Sequence, residues 1–398
     1  MTHSRCPVGA TFQHSSNVQN VRRLALRLLG VSAGCLALWG VCIPGLSAAE
    51  PQDFVPLKYG PTNQSTDLAV GLWAIPLPMD YDGDGDLDLV VSTANKASAG
   101  VYFFENPGGG KLPVFKPGVR VGNANSNAML TWHNDQAYIC TPGRWHPQFI
   151  EQGFEQGVPL AFKPKFHVGR ANQWQLLDYD GDGVAQDLVI GVSDWRDYGW
   201  DDAYDAQGRW QNGPIHGYVY FVKNQGTAAA PKYGEPQQLQ TDQGPVDVYG
   251  CPSPNFADWD GDGDLDLLCG SFLDDFTFFE NVGTRQAPRY AVGRKLAHEG
   301  QPLRMDLQML RVTACDWDGD GDSDLIVGQE DGRVALVECQ GYDRAAKMPQ
   351  FLPPVFFQQQ PELVKVGILN TPSSVDWDGD GDTDLIVGDS AGYLQIGR

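Results

Sequence analysis

The sequence predicts an all-β protein, a β-propeller of six or seven four-stranded blades, on three observations. An aspartate-rich string recurs five times. Short runs dense in β-branched and aromatic residues follow each copy. Helical periodicity is nowhere sustained over the 398 residues.

The first 49 residues carry Arg5, Arg22, Arg23 and Arg27 and no acidic residue. Arg22 and Arg23 lead into an apolar stretch from Leu24 to Leu46, and Ser47, Ala48 and Ala49 close it. Basic start, apolar middle and small-residue exit is the order of a secretory signal peptide, read here as residues 1–49. Gly30, Gly34, Gly40 and Pro44 interrupt the stretch and favour cleavage over a retained anchor. The remainder, 50–398, is then exported: secreted, periplasmic or held at the cell surface, with no membrane span after cleavage. The formal charge of −22 excludes nucleic acid as a partner, because phosphate binding needs clustered lysine and arginine.

Internal repetition organises everything after residue 50. The string begins at Asp80, Asp178, Asp258, Asp316 and Asp376, at steps of 98, 80, 58 and 60 residues. Behind it come strand-like runs such as Leu89–Val91, Leu325–Val327 and Leu385–Val387. A second run follows, as in Val101–Asn106, Tyr218–Asn224, Phe276–Asn281 and Val334–Glu338. A proline two residues before an aromatic closes each unit: Phe115, Tyr233, Tyr290 and Phe351. Four short strands in about 60 residues make a propeller blade. Phe166 is a further closing aromatic without an aspartate string ahead of it. It implies a blade with a degenerate loop at about 123–169. An insertion, 194–216, explains the 80-residue step. The last unit lacks its closing tag, and Pro56–Tyr59 resembles that missing piece, so the N-terminal strand is expected to complete the ring.

Spacing assigns the strings to a hard cation. Counting Asp80 as position 1, carboxylates fall at Asp80, Asp82, Asp84 and Asp88, with Gly85 where the chain must turn sharply and Asp86 offering its main chain. The same register gives Asp258, Asp260, Asp262, Asp264 and Asp266. It gives Asp316, Asp318, Asp320, Asp322 and Asp324, and again Asp376, Asp378, Asp380, Asp382 and Asp384. The remaining loop departs: Asp178, Asp180, Asp182 and the Val184 main chain fit, but Gln186 holds position 9 and the acid moves to Asp187, so this site is expected to be weaker or bulged. The five loops hold 24 of the 50 acidic residues. So many carboxylates together repel without a counter-ion. Oxygen ligands alone, with no His or Cys, select Ca²⁺ over transition metals, and about five ions are expected. Position 12, a glutamate in an EF-hand, is here Val91, Cys269, Val327 or Val387, inside a strand.

With those strings and flanking strands, residues 54–398 resemble the FG-GAP/VCBS-like repeat of integrin-α-type propellers. The resemblance implies Ca²⁺ in loops on one face of the propeller. It names no single activity, since such folds serve adhesion, sugar binding and some polysaccharide-degrading enzymes.

By strand parity the insertion lies on the opposite face. It carries Trp195, Tyr198, Trp200, Tyr204 and Trp210 among several aspartates, a composition suited either to stacking on sugar rings or to packing the insertion down. The leading functional expectation is a calcium-stabilised module that binds an extracellular glycan or protein ligand. A polysaccharide lyase or glycoside hydrolase on the same scaffold is the alternative, with His133 or His146 as base. No nucleophile elbow, zinc motif or phosphate loop supports a specific reaction. Cys269 and Cys315, at repeat positions held elsewhere by Val, Ala or Leu, read as small buried hydrophobes.

Overall fold

The computed structural model describes residues 65–94, 99–133, 136–167, 169, 171–184, 186–199, 201–360, 371–376, 379, 381, 384–388 and 394–397. The segments 1–49 and Pro56–Tyr59 lie outside them. The chain is all-β: the described residues contain one helix, the single turn Phe149–Gln152, and none long and apolar enough to cross a membrane.

Six antiparallel sheets follow one another along the chain. The first joins Ile75–Met79, Asp88–Thr93, Gly100–Phe104 and Val119–Gly122; the second Met129–His133, Gln136–Thr141, Arg144–Trp145 and Val158–Pro159. The third joins Ala171–Leu177, Asp187–Asp194, His216–Val222 and Gln237–Gln238, and the fourth Pro254–Ala257, Asp266–Cys269, Thr277–Phe279 and Arg294–Lys295. The fifth contains Arg311–Cys315, Asp324–Gly328, Val334–Val337 and Val355–Phe356; the sixth contains Thr371–Val375, Asp384–Gly388 and Leu394–Gly397. In each, strand one pairs with two and two with three, the simple meander that short connections favour. Central strands are buried on both faces, which is why Leu89–Val91 and Leu325–Val327 read as unbroken apolar runs behind their aspartates.

Apolar clusters fill the spaces between consecutive sheets. Ile75, Val90, Leu130 and Ile139 join the first to the second; Cys140, Leu176 and Leu188 join the second to the third. Leu177, Val219 and Leu267 continue to the fourth, and Leu268, Phe278, Leu325 and Ala335 to the fifth. The fifth sheet then packs on the first. Leu89, Phe104 and Phe115 share a cluster with Trp317, Ile326 and Phe357, Thr313 Oγ1 donates to Pro76 O at 2.9 Å, and Trp317 Nε1 donates to Lys111 O at 2.8 Å. Near the same seam Thr66–Asp67 pairs with Gln358–Gln359, which in turn lies parallel to Val114–Phe115.

The closing aromatics follow a rule. Phe115, Tyr290 and Phe351 are buried, each in the cluster between its own sheet and the one before it. Phe166 does otherwise: its ring stacks on Tyr220 of the third sheet at 4.0 Å, and Phe149 and Phe154 of the helical turn occupy the layer between first and second sheets. The tag was legible, but the helix supplied the aromatic filling in its place. Cys269 and Cys315 are buried, 0% and 6% exposed, as small apolar residues would be.

Candidate functional site

Each aspartate string joins strand one to strand two of its sheet, so the strings from Asp80, Asp178, Asp258, Asp316 and Asp376 occupy equivalent corners. In the second sheet strands one and two pair up to His133 opposite Gln136.

The first aspartate organises the turn. Asp80 Oδ1 accepts from Gly83 N at 2.7 Å and Asp84 N at 3.1 Å, and its Oδ2 accepts from Gly85 N at 3.1 Å. Asp316 takes Gly319 N and Gly321 N at 2.9 and 3.1 Å, and Asp376 takes Gly379 N and Gly381 N at 2.7 and 3.2 Å. Asp258 accepts from Asp262 N and Gly263 N, both at 3.0 Å. Two glycines per loop sit at positive φ, for example Gly83 at 82° and Gly85 at 101°. The glycine at position 4 was as legible as the one at position 6; the string Asp-Gly-Asp-Gly displays both.

The last aspartate does a different job. Asp88, Asp187, Asp266 and Asp324 are 0–1% exposed at the start of strand two. Asp88 accepts from Asn106 N at 2.8 Å on strand three and from Tyr81 N at 3.0 Å in the loop. Asp187 takes Asn224 N and Tyr179 N, Asp324 takes Cys339 N and Trp317 N, and Asp266 takes Asn281 N. Asp187 therefore fills the structural role of its counterparts in spite of its one-residue displacement. Burial pushes Asp88 and Asp187 up to about 6, Asp324 to about 7 and Asp266 to about 8, with the backbone donors pulling the other way. Asp264 and Asp322 also rise to about 6 through burial and the neighbouring carboxylates.

Carboxylate oxygens converge within 4.8 Å of one another in four groups: Asp80, Asp82 and Asp88; Asp178, Asp180 and Asp187; Asp258, Asp260 and Asp262; Asp316, Asp318 and Asp320. Buried oxygens of Asp86, Asp178, Asp180, Asp266 and Asp322 have no hydrogen-bond donor. An all-oxygen set with orphaned acceptors fits a hard cation. Asp84 caps the Asp86 N–H at 3.2 Å, and Val184 N donates to Asp182 Oδ1 at 3.0 Å. Asp378, Asp380, Asp382 and Trp200 lie outside the described residues; Asp384 opens the second strand of its sheet, as Asp324 does.

The loop from Asp178 contains a cation of its own. Lys223 Nζ bonds Asp180 and lies 3.2 Å from Asp182 Oδ2, while Arg285 donates to the Asp178 carbonyl. The two carboxylates push the Lys223 ammonium well above the usual lysine range. No residue type within the string announces this, because Lys223 lies just past strand three, 43 residues from Asp180.

Position 2 of the first four strings is a buried or half-buried aromatic: Tyr81, Tyr179, Trp259 and Trp317. Tyr81 packs on Phe103 at 4.7 Å and Tyr179 on Phe221 at 4.3 Å. Trp259 Nε1 donates to Ser323 O, tying one loop to the next. Beside these corners lies a cavity of about 590 Å³ lined by Trp132 and Leu177 of the second and third sheets and by Leu87, Asp258 and Asp316 from the aspartate loops of the first, fourth and fifth. Trp132 Nε1 is buried there without an acceptor.

The insertion leaves strand two of the third sheet at its far end from the Asp178 loop. Its aromatics pack against one another: Trp195 edge-on to Tyr198 at 5.4 Å, Tyr198 tilted on Trp210 at 4.6 Å and Tyr204 edge-on to Trp210 at 5.2 Å, with Trp195 also edge-on to Phe272. Tyr204 is 61% exposed. Of the histidines, His146 is buried, its Nε2 2.9 Å from Thr141 Oγ1, and burial with nearby Arg144 lowers its pKa. His216 Nδ1 lies 2.6 Å from Asp247 Oδ2.

No protein-family model and no curated protein matches the chain. Among solved structures, it is similar at 17% identity to the Photorhabdus luminescens Tc holotoxin pore, over 83% of this chain and 15% of that one, with a TM-score of 0.30.

Proposed function

We propose that the chain is an exported, calcium-stabilised β-propeller of FG-GAP/VCBS-like repeats that acts as a binding module for an extracellular glycan or protein. The observation that carries this is the recurrence of one corner: a turn-organising aspartate, converging carboxylates and a buried aspartate linking loop to strand three. Residues Asp80, Asp82 and Asp88, Asp258, Asp260 and Asp262, and Asp316, Asp318 and Asp320 would hold the ions, each neutralising carboxylates that otherwise repel. In the Asp178 loop Lys223 supplies that charge.

The radial arrangement is supported by the packing of each sheet on the next and of the fifth on the first, and by a cavity that draws on all five. These contacts favour a ring that closes after five sheets, with the sixth outside it. Ser373–Asp376, the described part of its first strand and loop, is exposed, whereas Ile75–Met79 is buried throughout.

Ligand binding is referred to two places: the exposed Tyr204 edge of the insertion and the cavity beside Trp132. Apolar ring faces beside carboxylates suit carbohydrate, whose C–H faces stack and whose hydroxyls bond. The burial of His146 and its bond to Thr141 give the hydrolytic alternative no support. A glycan array with 1 mM calcium and with excess chelator tests the reading. Calcium-dependent binding lost in Trp132→Ala or Tyr204→Ala is expected. Turnover of an acidic polysaccharide, or binding indifferent to both variants, contradicts it.

A further inference from the structure

Arg311 opens the first strand of the fifth sheet, at the end remote from the Asp316 loop. It is 1% exposed, and Nε, Nη1 and Nη2 all lack a hydrogen-bond acceptor. An arginine stays protonated in any protein setting, so here a full charge with five N–H donors is removed from water. The face of Trp73 covers it, with the guanidinium carbon 4.2 Å from the ring centroid. Such stacking meets one side of the plane and satisfies none of the in-plane N–H groups. Among the described residues no carboxylate forms an ion pair with it.

The surroundings are polar and strained. Gln173 and Gln175, 0% and 1% exposed, have amide atoms without partners. Pro252 and Pro254 pack around Gln173 beside Gly191, Ser253 Oγ bonds the Val312 main chain, and Cys251 is near enough to Arg311 to affect it electrostatically. Six described non-glycine residues have positive φ, and four belong here: Trp73 at 65°, Cys251 at 28°, Ser253 at 36° and Met309 at 62°. Trp73 is fixed by its indole, which donates to Met309 O at 2.8 Å. Strain of this kind persists where a site requires it.

We propose that Arg311 is the core of a buried oxyanion site that takes a carboxylate carried by a small ligand, with Trp73 as its cover and the unpartnered Gln173 amide N–H as a neutral donor. A carboxylate matches the guanidinium fork with two parallel bonds. A monoanion also balances the single positive charge, whereas doubly charged phosphate or sulfate would leave an excess in an enclosure of neutral amides. The site involves none of the calcium loops and stands whether or not the sheets form a ring.

The test is a thermal-shift titration of the full chain in saturating calcium, with sodium acetate, sodium D-glucuronate or sodium sulfate at ionic strength held constant by sodium chloride. A saturable rise in Tm with acetate or glucuronate is expected, its half-saturation moved at least tenfold by Arg311→Met and by Gln173→Leu. Arg311→Lys, which keeps the charge and loses the fork, should keep the fold and weaken the response. No saturable shift with any probe, a response to sulfate alone, or an unchanged response in Gln173→Leu and Arg311→Lys overturns the assignment.

Discussion

Lys223 changes the chemistry of one loop out of five. Its ammonium lies between Asp180 and Asp182, whereas Lys111, beside the Asp316 loop, stands 3.9 Å from Asp318 Oδ2 and gives its closer contact, 2.7 Å, to Glu338. Lys223→Met removes that charge and leaves Asp178, Asp180 and Asp187 in the arrangement of an ion site. Calorimetry should then record one more bound calcium per chain than the parent protein binds. His146 gives a second single-residue prediction. Burial holds its pKa below the ordinary 6.5, so the folded state favours the neutral ring. The stability this confers is present above pH 6.5 and is lost as pH falls toward the lower folded-state value. Melting temperature measured from pH 8 to 5 should therefore fall less steeply in His146→Gln than in the parent, and the difference between the two curves isolates this residue from the aspartates.

Within the metal-loop corner, the aspartates divide by task. Asp82 is exposed and makes one contact, with Asp84 N at 3.3 Å, whereas Asp88 is buried and satisfies two backbone N–H groups. Asp88→Ala should destabilise by about 1–3 kcal/mol per orphaned donor with or without calcium. Asp82→Ala should matter in calcium only, and denaturant curves with and without chelator separate the two. The register of the strings was legible because a loop that gathers carboxylates needs them at fixed positions, and their flanking strands because buried strands are apolar throughout. What the register concealed was the division of labour, since all the aspartates look alike in sequence. Lys223, Arg285 and the cover over Arg311 come from elements distant in the chain, which no local pattern encodes. The aromatics at position 2 were visible but became meaningful only when Trp259 and Trp317 proved to bond the next sheet along.

For the molecule as a whole, the proposed five-sheet ring rests on the seam between fifth and first sheets. Sequence steps imply that the last unit borders the first, and strand counting alone gives six or seven blades. The side chains of Trp317, Thr313 and Phe357 instead meet Lys111, Pro76 and Phe115. A chain ending at Gln360 should keep its cooperative melt within a few degrees of the parent; a ring that needs the sixth sheet would instead lose a whole interface and unfold. The proposed calcium binding would act at this scale too. Extracellular modules hold calcium with Kd of about 10⁻⁴–10⁻³ M. At 1 mM calcium each loop then adds about 0.4–1.4 kcal/mol, and several loops together approach a domain's net stability. The most direct test is the melting temperature of the chain as calcium is titrated from excess chelator to 10 mM, with magnesium as the control. A saturable rise of many degrees in calcium, not matched by magnesium, is the predicted result; a melting temperature indifferent to calcium would contradict the account.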